Sequence, residues 1–485
     1  MPTWNRSRAL IVHKPCVRTA LAAAAIACAG QAARAQVRIE VSEDGLTSTS
    51  ITPSPTDNRG WSRGTGVPFQ TAPDQQINLR RQIGGLQVAD MNGDGLNDVV
   101  AVVYNSSSFP PYTDWHDMIF YNTGSGIETT PSWVSAEQVH TGDVQVGDLN
   151  GDGYLDLVTV HGNVSSASAR VYYGGAGGPA TAAGWVAAGP PVWGTAGALG
   201  DIDRDGDLDL VTSNQGVAPD PYKPNFMFRN DGGILTSAPV WQSGDSAVQN
   251  GVAIADFNND GWVDVAIAKW VNFETAIYYS NAGTLPALPG WTAGQTDADK
   301  GAAVADLDGN GWLDLVVGGD PSRAYGQNAG LFTEVWANTD PFSGAQEIRT
   351  HDVDGDGDLD IAEIHFSTGR CHIYLNNNGV VSGVPDWTFD APEVGNTLAF
   401  GDINGDGWDD LVTGYSGDTS IRVFFAIPPA CIADLTGDGG LDFFDVQAFL
   451  QAFSDQDPIA DFTNDGVFDF FDVQEFLQAL ADGCP

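Results

Sequence analysis

The sequence predicts an all-β repeat fold built from four-stranded units, followed by a small α-helical calcium-binding domain. Two observations carry this expectation. A nine-residue acidic motif occurs seven times, beginning at Asp90, Asp148, Asp201, Asp256, Asp306, Asp352 and Asp402, at intervals of 46 to 58 residues. A period of about 50 residues suits a four-stranded propeller blade. Beyond residue 428 a shorter acidic motif is repeated once, and each copy runs into an amphipathic helical pattern.

The clearest copy of the long motif is Asp352–Asp360, with carboxylates at relative positions 1, 3, 5 and 9. A hard cation takes six to eight oxygens at about 2.3 to 2.6 Å, and alternate residues of a tight turn aim short side chains at one point. Gly at position 6 permits the turn, the position 7 carbonyl adds an oxygen, and Asp at position 9 is expected to close the cage. Without a cation, neighbouring carboxylates would repel by up to about 4 kcal/mol per pair. Seven such loops are not a chance pattern. Calcium is expected rather than Mg²⁺, which resists a crowded all-protein cage. The ligands this spacing selects are Asp90, Asn92, Asp94 and Asp98; Asp148, Asn150, Asp152 and Asp156; Asp201, Asp203, Asp205 and Asp209; Asp256, Asn258, Asp260 and Asp264; Asp306, Asp308, Asn310 and Asp314; Asp352, Asp354, Asp356 and Asp360; and Asp402, Asn404, Asp406 and Asp410.

Residues 1–35 read as a secretory signal peptide. Arg6, Arg8, Lys14 and Arg18 precede the apolar run Thr19–Ala29, and Ala33-Arg34-Ala35 offers a cleavage site. That run is too short to span a bilayer, and no later stretch does better. Processing would leave 15 basic residues against 63 acidic ones, a net charge of −48. Such a chain avoids nucleic acid and anionic lipid. The expected location is extracellular. Residues 36–82 form an N-terminal segment, and the repeats occupy 83–428.

Within a unit, Val252–Ala255 leads into the loop at Asp256, Val263–Ala268 leads out, Ala276–Tyr279 follows, and Trp291 opens a fourth run. A tryptophan stands 15 or 16 residues before the next loop at Trp133, Trp185, Trp241, Trp291, Trp336 and Trp387. These rings are expected to wedge between neighbouring units, since no unit can bury both faces alone.

With Gly84-Gly85 or Gly301-Ala302-Ala303 just ahead of the acidic turn, residues 83–427 resemble the FG-GAP and VCBS repeats of integrin α-like propellers. The resemblance implies an all-β seven-bladed propeller. The last unit runs out after its third strand, so residues between Gln36 and Pro73 are expected to supply the missing outer strand.

In the tail, Asp434, Thr436, Asp438, Asp442 and Asp445 occupy positions 1, 3, 5, 9 and 12 of a calcium loop, and Asp461, Thr463, Asp465, Asp469 and Asp472 repeat them 27 residues later. The pair, flanked by Cys431 and the terminal Gly483-Cys484-Pro485, resembles a GC-type dockerin over residues 431–485. The resemblance implies a cohesin-like or surface anchor, a bacterial cell-surface setting and a Cys431–Cys484 disulfide. One departure stands out. Phe443-Phe444 and Phe470-Phe471 occupy positions where dockerins carry small polar residues. One ring of each pair is expected in the module's core and the other on a partner-docking surface. Up to nine Ca²⁺ ions are expected in all.

Signatures of catalysis are few. There is no His-Glu-x-x-His, Gly-x-Ser-x-Gly or phosphate-loop motif, and no catalytic residue is selected. At the far end of the second strands stand His161, Asn214, Lys269, His365 and Tyr415, on the face that integrin-like propellers use for ligands. Nearby are Phe109, Tyr112, Trp115, Tyr222, Trp270, Phe273 and Tyr325. If that face binds, aromatic rings beside polar groups suit a polysaccharide or a protein patch. Three functions follow as expectations. The first is a non-catalytic extracellular adhesion or binding propeller anchored by a dockerin. The second is a polysaccharide lyase or glycoside hydrolase, thinly supported by Lys269, Arg323, His161 and His365. The third is a structural surface-layer component.

Overall fold

The computed structural model describes residues 66–104, 115–162, 167–216, 222–270, 273–296, 298–339 and 344–427, parts of 433–482, and a two-stranded pair at Glu40–Val41 and Thr47–Ser48. The repeats form a β-propeller of antiparallel sheets in which each acidic loop joins a first strand to a second. Five units are separate four-stranded sheets, with first strands at Thr141–Gly147, Trp193–Gly200, Val248–Ala255, Gly301–Ala305 and Ala345–His351. The remaining strands join in one curled eight-stranded sheet that holds the first strands Arg81–Ala89 and Val394–Gly401. Here the expected separation of units is modified. Arg81 and Gln82 extend their strand far enough to pair with Gly417 and Ser416 of the last unit.

The seven first strands pack side by side in chain order, and the last packs against the first, so the ring closes. Charges meet across its centre. Burial pushes the Asp143 carboxyl up to about 6; Glu347 on the sixth first strand adds to this, and Arg349 beside it opposes. The outer strand of the last unit is Gln75–Ile77, which pairs with Ile421–Phe424, and Phe69 bridges Ala426. The strand thus begins just beyond the expected Gln36–Pro73 stretch, while the Phe69 bridge lies within it.

Second strands such as Asp98–Val103, Asp156–His161 and Asp360–His365 are buried along their whole length. Residues 99–103 accordingly read as an unbroken apolar run rather than an alternating one, while Thr159, His161, Glu363 and His365 are polar groups buried within such strands. Gly84 is required by close approach, because a Cβ there would sit 2.3 Å from the Thr141 carbonyl oxygen of the next first strand.

The tryptophans bridge units. The rings of Trp133, Trp185, Trp241, Trp336 and Trp387 meet edge-on Tyr172, Phe228, Tyr278, Tyr374 and Phe424, each on the third strand of the following unit, at centroid distances of 5.2 to 5.6 Å. The indole N–H of Trp133, Trp185, Trp241 and Trp336 donates to a carbonyl of that same unit.

The tail contains two helices, α1 (Phe443–Asp455) and α2 (Phe470–Asp482). Phe449 and Phe476 stack face to face at 4.0 Å in a small core. Phe443, Phe444, Phe470 and Phe471 are all 60 to 72% exposed. The expected core ring of each pair is therefore corrected: both lie in the first helical turn, ahead of the positions that face inward. Among the described residues no helix is long and apolar enough to cross a membrane. Asp434, Asp438, Asp442, Asp461, Asp465, Cys431 and Cys484 lie outside the described residues.

Candidate functional site

All seven propeller loops are built by one set of hydrogen bonds. The position 1 carboxylate accepts the N–H of position 6 at 2.7 to 3.0 Å in every copy. The position 5 side chain accepts the N–H of position 7. These bonds wrap the turn around its own side-chain oxygens. Position 6 is left-handed throughout, with φ from +85° for Gly311 to +97° for Gly206, a conformation that glycine adopts without strain. Position 4 is left-handed too, and two loops place Arg204 (φ +60°) and Asn259 (φ +53°) there.

Position 9 does more than the spacing suggests. One of its oxygens accepts the position 2 N–H, as in Asp98 from Met91 and Asp360 from Val353. The other accepts a main-chain N–H at or just beyond the end of the third strand, from Asn122, Gly174, Asn230, Ser280, Gln327, Asn376 and Ala426 in turn. The aspartate therefore ties the loop to its sheet. Asn122, Asn230 and Asn376 then reach back through their side-chain amides to the position 2 carbonyls of Ile403, Leu149 and Leu307 in the preceding unit. These amides escaped the sequence reading. Their signal was an Asn recurring just past an aromatic third strand.

Oxygens converge. Asp201, Asp203 and Asp209 bring one ligand atom each within 4.8 Å of one another, as do Asp306, Asp308 and Asp314, and Asp352, Asp354 and Asp356. Asp203 Oδ1 and Asp352 Oδ1 are buried and without a hydrogen-bond partner, so the residues present fit a cation. Electrostatics agree. Burial, reinforced by neighbouring carboxylates, pushes Asp156 and Asp314 up to about 6, Asp98, Asp209 and Asp410 to about 7, and Asp264 and Asp360 to about 8. A cation among them restores the charged form.

The strand-end residues have a different setting. His161, Asn214, Lys269, His365 and Tyr415 are at most 5% exposed, which corrects the expectation that they line an open face. His161 contacts Thr159 at 3.0 Å, Asn214 donates to the Pro224 carbonyl, Lys269 pairs with Asp245 at 2.5 Å, and Arg422 lies over the Tyr415 ring. The adjacent units cover the strand ends, so polar side chains there bond inward. Arg323 pairs with Glu334 at 2.6 Å. Phe109 and Tyr112 lie outside the described residues. In the tail, Asp445 accepts both the N–H and the hydroxyl of Thr436, and Asp472 accepts the same pair from Thr463.

Comparison with known families places three segments, residues 90–159, 148–212 and 352–413, on the FG-GAP-like repeat. The chain carries FG-GAP-like repeats. The loops at Asp256 and Asp306 lie outside the matched segments yet make the same hydrogen bonds. No curated protein matches the chain. Two similar solved structures are crystal structures of BBS1N in complex with ARL6DN, one soaked with lead and one with mercury. Each is 12% identical and covers 76% of this chain and 98% of its own, with TM-scores of 0.50 and 0.49. At that identity the lead-soaked structure supports the fold alone.

Proposed function

We propose that this chain is an exported, calcium-braced, seven-bladed propeller that binds a ligand without transforming it and is tethered by a dockerin-like tail. The count of seven takes the eight-stranded sheet as two blades, in keeping with the seven first strands of the ring. The observation that carries the reading is the sevenfold recurrence of one oxygen-lined turn, with buried oxygens left over in the copies at Asp203 and Asp352. Calcium suits an all-oxygen cage of this size, whereas Mg²⁺ keeps its waters.

Binding is favoured over catalysis because the residues that suggested chemistry, Lys269, His161 and His365, are buried in internal contacts. Exposed aromatic groups lie at the end of the ring opposite the loops. Trp270 and Phe366, each 38% exposed, flank the Lys300 ammonium at 5.8 and 5.1 Å. Rings beside one cation suit a polysaccharide, sugar faces stacking while an acidic substituent meets the lysine. For the tail, support comes from two matching loop–helix units and four exposed phenylalanines at the starts of α1 and α2.

The test incubates the calcium-saturated full chain with a panel of soluble neutral and acidic polysaccharides, then assays new chain ends and retention on the immobilised protein. Retention without new chain ends, weakened in Trp270→Ala, is the expected result. New chain ends would replace this reading with a lyase or hydrolase.

A further inference from the structure

Between the fifth and sixth units lies a polar cluster that belongs to none of the acidic loops. Glu363 and His372 are direct cross-strand partners. Since side chains alternate along a strand, His365 and Tyr374 share their face. Glu363, His365 and His372 are at most 1% exposed, and one ligand atom from each lies within 4.8 Å of the other two. Glu363 Oε1 is 3.0 Å from His365 Nε2 and 3.7 Å from His372 Nδ1, and the imidazole centroids are 4.6 Å apart.

The surroundings hold the carboxylate in place. Tyr374 donates its hydroxyl to Glu363 Oε1 at 2.8 Å, Asn338 Nδ2 donates to the same oxygen at 2.9 Å, and Ser322 Oγ donates to Oε2. Such outer hydrogen bonds are what orient a carboxylate ligand. Two further observations point to a ligand. Asn338, 5% exposed and bonded to Glu363, keeps a buried Oδ1 with no hydrogen-bond partner. His372 also lines a solvent-facing groove of about 360 Å³, shared with Thr339, Arg370, Thr388 and Asp390. The groove gives a route in and room for an exchangeable ligand.

We propose that Glu363, His365 and His372 form a site for one divalent transition-metal ion of the Zn²⁺ class, separate from the calcium loops. Two imidazole nitrogens with a single carboxylate match zinc-type chemistry, in contrast to the all-oxygen sets that select Ca²⁺. Tetrahedral donors at zinc bond lengths stand about 3.3 Å apart, so Glu363 and His365 at 3.0 Å are already near that spacing and His372 at 3.7 Å has a short way to move. His372 borders the groove, so an exchangeable fourth ligand could enter from that side.

The test uses the untagged full chain in excess Ca²⁺, titrated with Co²⁺ and then Zn²⁺. One equivalent of Co²⁺ with the visible bands of a low-coordinate site, bleached by one equivalent of Zn²⁺, is expected. His372→Gln should weaken Zn²⁺ binding roughly tenfold or more at unchanged melting temperature, whereas His351→Gln should leave it intact. Absence of a Zn²⁺ equivalent in calcium overturns the proposal. So does wild-type affinity in a well-folded His372→Gln chain, or loss of binding in His351→Gln. If His372→Gln fails to fold, the wild-type cobalt spectrum together with the His351→Gln result decides.

Discussion

Asp117 shows how a single buried carboxylate sets a pH response in this ring. It is fully buried at the start of the first unit's third strand, accepts the Val103 N–H and the Thr141 hydroxyl, and is held up at about 7, chiefly by burial. A carboxyl whose folded pKa lies above its unfolded value favours the native state below the unfolded pKa, and that advantage is lost as pH rises through the folded value. Its contribution therefore falls between about pH 4 and pH 7, by a few kcal/mol. Asp117→Asn keeps both hydrogen-bonding positions and removes the charge. Calcium-saturated melts should show the variant gaining stability relative to the parent between pH 5 and pH 8. An identical pH profile in the two proteins would contradict the assignment.

Among the elements, the blade junctions carry the clearest prediction. Trp336 meets Tyr374 at 5.2 Å and donates to the Ser382 carbonyl at 2.8 Å. Trp336→Ala should cost about 3 to 5 kcal/mol, read as a lower denaturation midpoint. A change below about 1 kcal/mol would show that the wedge is not a stabilising element. This role was legible in the sequence, because an indole recurring at a fixed offset from a loop has one place in a repeat. The loops were legible for the same reason: side-chain type at positions 1, 3, 5, 6 and 9 is dictated by local turn geometry. The brace from Asp98 to Asn122 was less so, since it joins residues 24 apart through a main-chain N–H. Burial of His161 and Lys269, the exposure of both phenylalanines of each pair, and the meeting of Glu363 with Ser322 and Asn338 were not legible. Each depends on what a neighbouring unit or helix covers, and no local pattern encodes that.

At the scale of the whole molecule, the fold depends on closing the ring, and the proposed calcium brace would add to it by neutralising the loops. Closure uses Gln75–Ile77 beside Ile421–Phe424, with Ile77 1% exposed in a core shared with Ile83 and Val423. Ile77→Asp should open this seam, lower the melting temperature and speed proteolysis near residue 80, while the acidic loops of the middle units keep the cation binding proposed for them. The calcium brace proposed above would act on every unit at once, because the position 9 aspartate of each of the seven acidic loops ties that loop to its sheet. The most direct measurement is a thermal melt of the full chain at neutral pH in excess calcium and in excess EDTA, with bound calcium counted in parallel. A calcium-braced ring is expected to hold several calcium ions per chain and to melt many degrees lower in EDTA, a loss restored by calcium and not by magnesium. A melt that is the same in both, or a chain that holds no calcium, would contradict that brace.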